Sequence, residues 1–351
     1  MPENGKHGAA RELEAHNADA GGEAPLANLL SKAWVKALIA LAVILIIGFI
    51  FNANGTFFRW TPHRDMLRQT SVYGMLACGM TVVIIGGGID LSVGSLLAAV
   101  AVPYSLLLMS YGYSAWMVVP LCLLLGVVCG LVNGVLVGRF RFQPFIATLA
   151  MMTFARGLAK TMSGGRKVMN ATFHEDGTYT YNTVFPDITE WLNGRILNNN
   201  LAIVTIIMIA CMGMAYIILS TLIWGRYIYS IGGNEEAARL SGVPVLTTKL
   251  VAYGFGGLCC AIAGICQAAQ EYQGDPEAGL GYELNAIGMV VIGGTSLAGG
   301  RGGIGLTFIG VLTMGYLDKI LSLNAVEEAS RLMLTAVIIV LAVLFQSSRR
   351  K

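Results

Sequence analysis

Residues 91–138 read LSVGSLLAAVAVPYSLLLMSYGYSAWMVVPLCLLLGVVCGLVNGVLVG and contain no Lys, Arg, Asp or Glu. A helix needs about 20 apolar residues to cross a hydrocarbon core about 30 Å thick. This charge-free run is long enough for two crossings, with a turn near Ser110 to Ser114. The stretch therefore predicts a chain that passes through a lipid bilayer more than once.

The composition of the whole chain agrees with this prediction. Of 351 residues, 55% are hydrophobic and only 12% are charged, and the mean hydropathy is +0.67. These values exclude a soluble globular protein. The formal net charge is +3 and no block of basic residues stands out, so we expect the lipid bilayer and not nucleic acid as a partner.

Apolar runs along the chain give the predicted fold class, an all-α polytopic membrane protein. Only helices fit runs of this length, because each segment must satisfy its own backbone hydrogen bonds in lipid. We count about ten transmembrane helices, and nine or eleven stay open. The ten runs are 37–58, 69–89, two within 91–138, 142–155, 196–225, 250–270, 284–300, 302–317 and 332–348.

The distribution of charge predicts the domain boundaries and the orientation. Residues 1–32 form a polar tail that we expect to be cytoplasmic and disordered, residues 33–348 form one transmembrane domain, and residues 349–351 form a basic cytoplasmic end. The excess of Lys and Arg places both termini inside, segment 163–200 outside and segment 225–249 inside. If crossings two to five and seven to ten are related units, their shift of five crossings turns the second unit upside down and predicts an inverted repeat.

Residues of the kind that perform chemistry are scarce in the apolar runs. All four histidines lie in polar segments, and the seven cysteines lie in apolar runs where they read as packing residues. No Walker A sequence occurs, and the Gly-Gly-Arg-Gly-Gly of 299–303 lacks its Gly-Lys-Ser/Thr ending. We therefore expect no catalytic residues, no metal site and no cofactor in this chain.

Glycines recur every fourth residue in the crossing that ends at 138, which places them on one helix face. We interpret this stripe as a surface for close helix packing, with helix sliding as the alternative. Asn133 lies beside the stripe at membrane depth and either bonds a neighbouring helix or lines a solute path. The stripe consists of Gly126, Gly130, Gly134 and Gly138.

Five glycines and one acid interrupt the apolar run at residues 86–95 (GGGIDLSVGS). Consecutive glycines weaken a helix, so we expect the helix to break here and restart at Asp90, whose carboxylate would cap it. The alternative is a broken-helix site in which Asp90 or Ser92 meets the solute or a gate. Asn285 is a further candidate for the path, and we expect Arg156 to reach toward the lipid headgroups.

Segment 225–249 contains a short helix by composition, Glu235–Leu240. Asn234 is placed to cap it, the acids lie in its first turn, and Ser241-Gly242 ends it. Two turns of helix are not stable alone and need a partner surface. The residues that we assign to this docking loop are Gly232, Gly233, Asn234, Glu235, Glu236, Ala237, Ala238, Arg239 and Gly242.

Several motifs together make the chain resemble a permease subunit of the ribose-type monosaccharide ABC importers, within the branched-chain amino acid and sugar permease superfamily. The motifs are GGIDLSVGS at 87–95, LVNG at 131–134, PFIATL at 144–149 with RG at 156–157, IGGNEEAARLSGV at 231–243, GYELNAI at 281–287 and IGGTSL at 292–297. The Glu-Ala-Ala and Gly of the fourth motif resemble the loop that such importers insert into their ATPase. The Ile-x-Leu-Pro ending of the fuller loop is absent.

The resemblance implies a type II ABC importer-like permease in a bacterial inner membrane. It implies a second permease copy, identical or similar, and two ABC ATPase subunits or one tandem ATPase that binds ATP and Mg²⁺. It also implies a periplasmic sugar-binding protein. Charge reversal at Glu235 and Arg239 would then uncouple ATPase activity from transport.

Two other classes of function predict different features. A self-contained, ion-coupled secondary carrier needs an ionisable residue inside the bundle, and Asp90 is the candidate, so replacing it by Asn would abolish coupling. A membrane-embedded enzyme needs convergent acids, histidines or a metal motif, which the sequence does not show. The sequence leaves the identity of the sugar open.

Overall fold

The computed structural model describes residues 32–173, 179–181 and 185–347. The predicted tail up to residue 31 and the basic end 349–351 lie outside the described residues. The helices in the described part are α1 (Ala33–Ile50), α2 (Trp60–Ile85), α3 (Val93–Ser105, continued by a π-helical turn over Leu106–Ser110), α4 (Ala115–Gly138), α5 (Pro144–Ser163), α6 (Asp187–Asn193), α7 (Ile203–Ser220), α8 (Ile223–Gly233), α9 (Glu235–Leu240), α10 (Val245–Glu271), α11 (Tyr282–Ile292), α12 (Ile304–Leu323) and α13 (Glu328–Ser347).

The all-α polytopic fold predicted from the sequence is confirmed. Each of the ten apolar runs corresponds to one helix, namely α1 to α5, α7 and α10 to α13. Within the described residues, six segments are long and apolar enough to cross a bilayer: α1, α3 with its π-helical turn, α4, α7, α10 and α12. The count of ten remains approximate, because α11 has only 11 residues. The inverted repeat stays a prediction.

Short strands lie between α5 and α7 and in the connection between α10 and α11. Strand β1 (Val168–Met169) pairs with β6 (Gln273–Gly274), and β2 (Ala171–Phe173) pairs with β3 (Tyr179–Tyr181). Strand β4 (Arg195–Ile196) pairs with β5 (Leu201–Ala202). All three ladders are antiparallel and two-stranded, so they add order to the connections without forming a sheet core.

Helix α10 is the centre of the bundle and packs against α2, α3 and α4. Small residues on it, such as Gly257, Ala261 and Gly264, let the neighbouring backbones approach closely. Helix α3 is buried along its whole length, whereas α1 and α4 each expose a broad apolar face. Such faces suit lipid rather than water. All seven cysteines are free and buried, as expected of packing residues.

Helix α2 begins earlier than the apolar run predicted. It starts at Trp60 and carries Arg64 and Arg68 on its first turns. These charges are tolerated because the end of α6 and the connection after it supply acceptors. Arg64 donates to the carbonyl oxygen of Asn199 at 3.1 Å, and Arg68 donates to the side chain of Asn193.

The first turn of α3 and the segment that precedes α11 meet inside the bundle. A methyl group on Gly94, in the first turn of α3, would lie 2.0 Å from the carbonyl oxygen of Gly279, which precedes α11. Contact this close requires glycine at both positions. Two interrupted segments therefore share one contact in the core, the arrangement in which membrane proteins tolerate non-helical backbone.

Candidate functional site

The short helix expected in segment 225–249 is present as α9. The Asn234 side chain accepts a hydrogen bond from the backbone N–H of Ala237 at 3.0 Å and so caps the helix. Gly242 adopts a positive φ of 81° just after the helix, a conformation that favours glycine. The cap and the glycine fix both ends of a helix that is too short to form alone.

Charged side chains of α9 are paired within the loop. Arg239 bonds Glu236 one turn away, and this pairing lowers the pKa of the Glu236 carboxyl. Glu235 accepts from the Lys249 ammonium at 2.6 Å, which ties α9 to the start of α10. Leu240 is 78% exposed at the end of the helix. The ion pairs occupy the charged side chains and leave Leu240 as the exposed apolar side chain at the end of α9.

Glycine backbone connects α9 to the membrane helices. A methyl group on Gly232, at the end of α8, would lie 1.7 Å from the carbonyl oxygen of Ile85 and 2.5 Å from the amide nitrogen of Gly300. The Gly300 amide donates to the Ile85 carbonyl at 2.9 Å. Gly87 and Gly299 approach within the same contact. We call Ile85, Gly87, Gly232, Gly299 and Gly300 the glycine junction.

The glycine junction joins three parts of the bundle through their backbones. These are the end of α2, the end of α8 next to α9, and the loop between α11 and α12. Tyr229 of α8 adds a hydrogen bond to the carbonyl oxygen of Gly302 at 2.9 Å. A displacement of α8 must therefore move or break contacts at both other segments, because packed backbone has no soft side chain to absorb it.

Asp90, Ser92 and Asn133 lie together in the core and are fully buried. Asp90 Oδ1 accepts from the Ser92 backbone N–H at 2.9 Å and from its hydroxyl at 2.5 Å, and Asn133 Nδ2 donates to Ser92 Oγ at 3.2 Å. Thr148 of α5 donates to the carbonyl oxygen of Ile89 at 3.1 Å. We call Asp90, Ser92 and Asn133 the polar cluster; it ties the broken segment to α4.

The predicted restart of the helix at Asp90 is wrong. Helix α2 ends at Ile85 and α3 begins only at Val93, so the break covers residues 86–92. Gly87 has a positive φ of 78°, which turns the chain. The Asp90 carboxylate binds Ser92 rather than the first free amides of α3, and the structure therefore gives it a turn-forming role.

Asn285 does not join the polar cluster. It lies on α11 and lines a separate polar cleft between α2, α11, α12 and α13. The four residues predicted for the solute path or gate are thus divided into a closed group of three and one residue in an open cleft. Their roles in transport stay predictions.

The glycine stripe of α4 faces α10. A methyl group on Gly126 would lie 2.5 Å from the carbonyl oxygen of Gly257, and one on Gly130 would lie 2.3 Å from that of Tyr253. Gly134 and Gly138 approach Leu250 and Leu246 at about 3 Å in the same way. The four glycines therefore allow two long helices to touch along four turns.

The headgroup position expected for Arg156 is wrong. Its guanidinium Nη1 donates to the carbonyl oxygens of Pro276 at 2.6 Å and Ala278 at 2.8 Å. The loop after β6 therefore supplies the acceptors for this guanidinium, in charge-assisted hydrogen bonds. The carboxylate of Glu277 in this loop also pairs with Lys160 at 3.0 Å.

The sequence reasoning singled out Gly87 and Gly232 separately but did not bring them together in the glycine junction. Residues 299–303 were considered only as a phosphate loop, and Ile85 carried no signal, because its backbone rather than its side chain makes the contact. Among the described residues, no group of three His, Cys, Asp or Glu side chains could hold a metal ion.

A helical bundle with a broken segment in its core, and with an exposed short helix connected to it by backbone contacts, is a construction that membrane transport proteins use. Comparison with known proteins names the family. The chain belongs to the family described as "Branched-chain amino acid transport system / permease component", whose model matches residues 64–342. No solved structure matches the chain.

Curated relatives are import permeases for sugars. The ribose import permease of Escherichia coli strain K12 is 41% identical over 327 residues, 91% of this chain and 96% of the relative. The ribose import permease of Bacillus subtilis is 36% identical over 89% and 92% of the two chains. The L-arabinose permease of E. coli K12 is 34% identical over 90% of each. This chain is therefore the permease component of an importer and not an enzyme.

Proposed function

We propose that this chain is the membrane-spanning subunit of an ATP-driven importer that carries a monosaccharide across the inner membrane of a bacterium. Relatives that align along nearly the whole chain are named for ribose and L-arabinose, and a further one of Bifidobacterium longum is named for fructose. Ribose, L-arabinose and fructose are all small, neutral monosaccharides with several hydroxyl groups. The substrate class follows from these names, while the choice among sugars is left to a separate binding protein.

The observation that carries the proposal is the exposed helix α9, which directly follows the part of α8 that belongs to the glycine junction. Six residues of helix are too few to serve as a membrane crossing, and their apolar end at Leu240 faces outward. A partner that covers Leu240 would hold α9 firmly. Its movement would then reach Ile85 and Gly300 through Gly232 without passing through a flexible side chain.

Transport follows from this connection as a mechanical cycle. ATP binding in a pair of partner ATPases draws the two copies of α9 together, and α8 moves with them. The glycine junction passes this movement to the end of α2 and to the loop before α12, which shifts the broken segment 86–92. Rigid-body alternation of the bundle then opens the path first on one side and then on the other.

The proposed assembly contains two permease copies and either two ATPase subunits or one tandem ATPase. ATP and Mg²⁺ bind in the ATPase, and a periplasmic sugar-binding protein docks on the outer connections. Both termini are cytoplasmic in this arrangement, as the positive charges predict. The relatives give no support to the secondary carrier.

Replacement of Leu240 by Glu tests the docking role. The double charge reversal at Glu235 and Arg239 is a less clean test, because Glu235 already binds Lys249 and Arg239 binds Glu236. Leu240 is 78% exposed, so a new charge there leaves the fold intact. Leu197, 68% exposed on the opposite connection, provides the matched control as Leu197→Glu.

The measurement is the amount of ATPase subunit that copurifies with each tagged variant from membranes. A buried apolar contact residue contributes about 2 kcal/mol, so we expect roughly a 30-fold weaker ATPase association for Leu240→Glu. Leu197→Glu should retain it fully. Equal recovery of ATPase with both variants would exclude α9 as the docking helix.

A further inference from the structure

A polar cleft opens between α2, α11, α12 and α13, away from the polar cluster. Its volume is about 210 Å³, enough for roughly seven water molecules at about 30 Å³ each. We call it the Asn285 cleft. Its lining is Gln69, Thr70, Tyr73, Asn285, Met289, Met314, Gly315, Asp318, Glu328, Arg331, Leu332 and Thr335.

The lining of the Asn285 cleft is unusual for a membrane bundle. Most of the lining side chains carry an amide, a hydroxyl, a carboxylate or a guanidinium, although only 12% of the chain is charged. Asp318 lies in the last two turns of α12 and Glu328 begins α13, so the cleft lies near the connection between these helices, where water can reach its polar groups. A cleft of this composition does not suit an acyl chain, which offers no hydrogen bonds.

The charges of the cleft select a neutral solute. Asp318 and Arg331 pair with each other at 2.9 Å, so neither offers a free charge. Glu328 is the remaining charged group, which disfavours a phosphate or a carboxylate as ligand. Amide and hydroxyl groups at Gln69, Asn285 and Thr335 can donate to and accept from sugar hydroxyls. An aromatic side chain, Tyr73, completes the wall.

Helix α13 forms one wall of the Asn285 cleft. Its described contacts are with α11 and, through the Arg331–Asp318 ion pair, with α12. The polar cluster, unlike the cleft, is closed, since Asp90, Ser92 and Asn133 have no exposed surface.

We propose that the Asn285 cleft is a low-affinity binding site for one neutral, polyhydroxylated solute on its way through the permease. This inference rests on the proposed function and adds the place where the solute is held. Gln69 and Asn285 bind hydroxyl groups, the paired Asp318 and Arg331 bind others without net charge, and α13 forms one wall.

Protection of an introduced cysteine tests the cleft in the full importer complex. All seven cysteines of the permease are buried, so its own background reaction with a water-soluble thiol reagent is low, and labelling is read on the permease band after the subunits are separated. Thr335→Cys places a thiol in the lining, and Ser330→Cys places one on the same helix outside it. Labelling rates are measured with and without D-ribose, L-arabinose, D-xylose and D-fructose, and with ribose 5-phosphate as the anionic probe.

We expect at least one neutral sugar to slow labelling of Thr335→Cys about fivefold at about four times its dissociation constant, and to leave Ser330→Cys unchanged. Asn285→Ala should weaken this protection. Unchanged labelling of Thr335→Cys in a complex that imports the same sugar with ATP would overturn the cleft and leave the proposed function standing. Protection by ribose 5-phosphate alone would also overturn it. Failure of every sugar to be imported would instead contradict the proposed function.

Discussion

Replacing Gly232 by Ala is the sharpest perturbation of the link between α9 and the membrane helices. The added methyl carbon would lie 1.7 Å from the Ile85 carbonyl oxygen, whereas ordinary contact begins at 3.4 Å. The end of α8 and the end of α2 must therefore separate by about 1.7 Å. The Gly300 amide lies 2.5 Å from the same carbon, so its 2.9 Å hydrogen bond to Ile85 is also disturbed.

The cost can be worked out from these two contacts. Overpacking in a close-packed site costs about 1–3 kcal/mol. A lost backbone hydrogen bond adds about 0.5–1.5 kcal/mol. A total of about 1.5–4.5 kcal/mol is enough to shift the balance between the two states of the bundle by about tenfold or more. Assembly with the ATPase should survive, because α9 itself is unchanged.

The assay compares sugar uptake with ATP hydrolysis in proteoliposomes that contain the whole importer. We expect Gly232→Ala to hydrolyse ATP and to carry at least about tenfold less sugar per ATP. Gly233→Ala is the matched control, since the neighbouring glycine lies in the same helix and its added methyl carbon would meet nothing within 4 Å. A wild-type ratio of uptake to hydrolysis in Gly232→Ala would refute the junction as the mechanical link.

Three further predictions follow from the other contacts. Gly130→Ala should destabilise the permease by about 1–3 kcal/mol, because the added methyl carbon would lie 2.3 Å from the Tyr253 carbonyl oxygen. We expect a lower melting temperature in detergent for this variant but not for Gly213→Ala, whose methyl carbon would meet nothing within 4 Å. Equal melting temperatures for the two variants would contradict the packing role of the glycine stripe. Arg156→Ala should speed exchange of the backbone amide hydrogens in loop 275–281, because the loop loses the two hydrogen bonds that hold its carbonyls. Lys160→Ala should have a smaller effect, because the ion pair of Lys160 with Glu277 is exposed. A larger effect of Lys160→Ala would contradict the role of Arg156 in holding this loop. Asp90→Asn should retain ATP-dependent uptake, since an amide oxygen still accepts from Ser92; loss of uptake in an intact complex would favour the ion-coupled carrier.

Much of the fold could be predicted because the bilayer imposes it. A charge-free run such as 91–138 leaves no alternative to two membrane-spanning helices, and the glycine spacing in α4 shows which face meets a neighbour. The helix cap at Asn234 could also be predicted, since an Asn followed by two acidic residues favours a helix start without any tertiary contact.

The remainder depended on contacts distant in sequence. The sequence near Arg156 gives no sign of the carbonyl oxygens of Pro276 and Ala278 that bind its guanidinium. We therefore expected the side chain to reach toward the lipid headgroups. Asp90 and Asn285 both look like polar residues at helix starts, yet one is closed into the core and the other lines a cleft. Backbone contacts such as that of Ile85 with Gly300 leave no trace in side-chain type.

The central claim is that this permease moves sugar only when a partner ATPase hydrolyses ATP. The most direct test is reconstitution of the purified complex in proteoliposomes, with the sugar-binding protein loaded with radiolabelled D-ribose, L-arabinose, D-xylose or D-fructose outside and ATP supplied at the ATPase. We predict uptake that requires ATP and stops with vanadate. Uptake by the permease alone, driven by an ion gradient without ATP, would contradict the account.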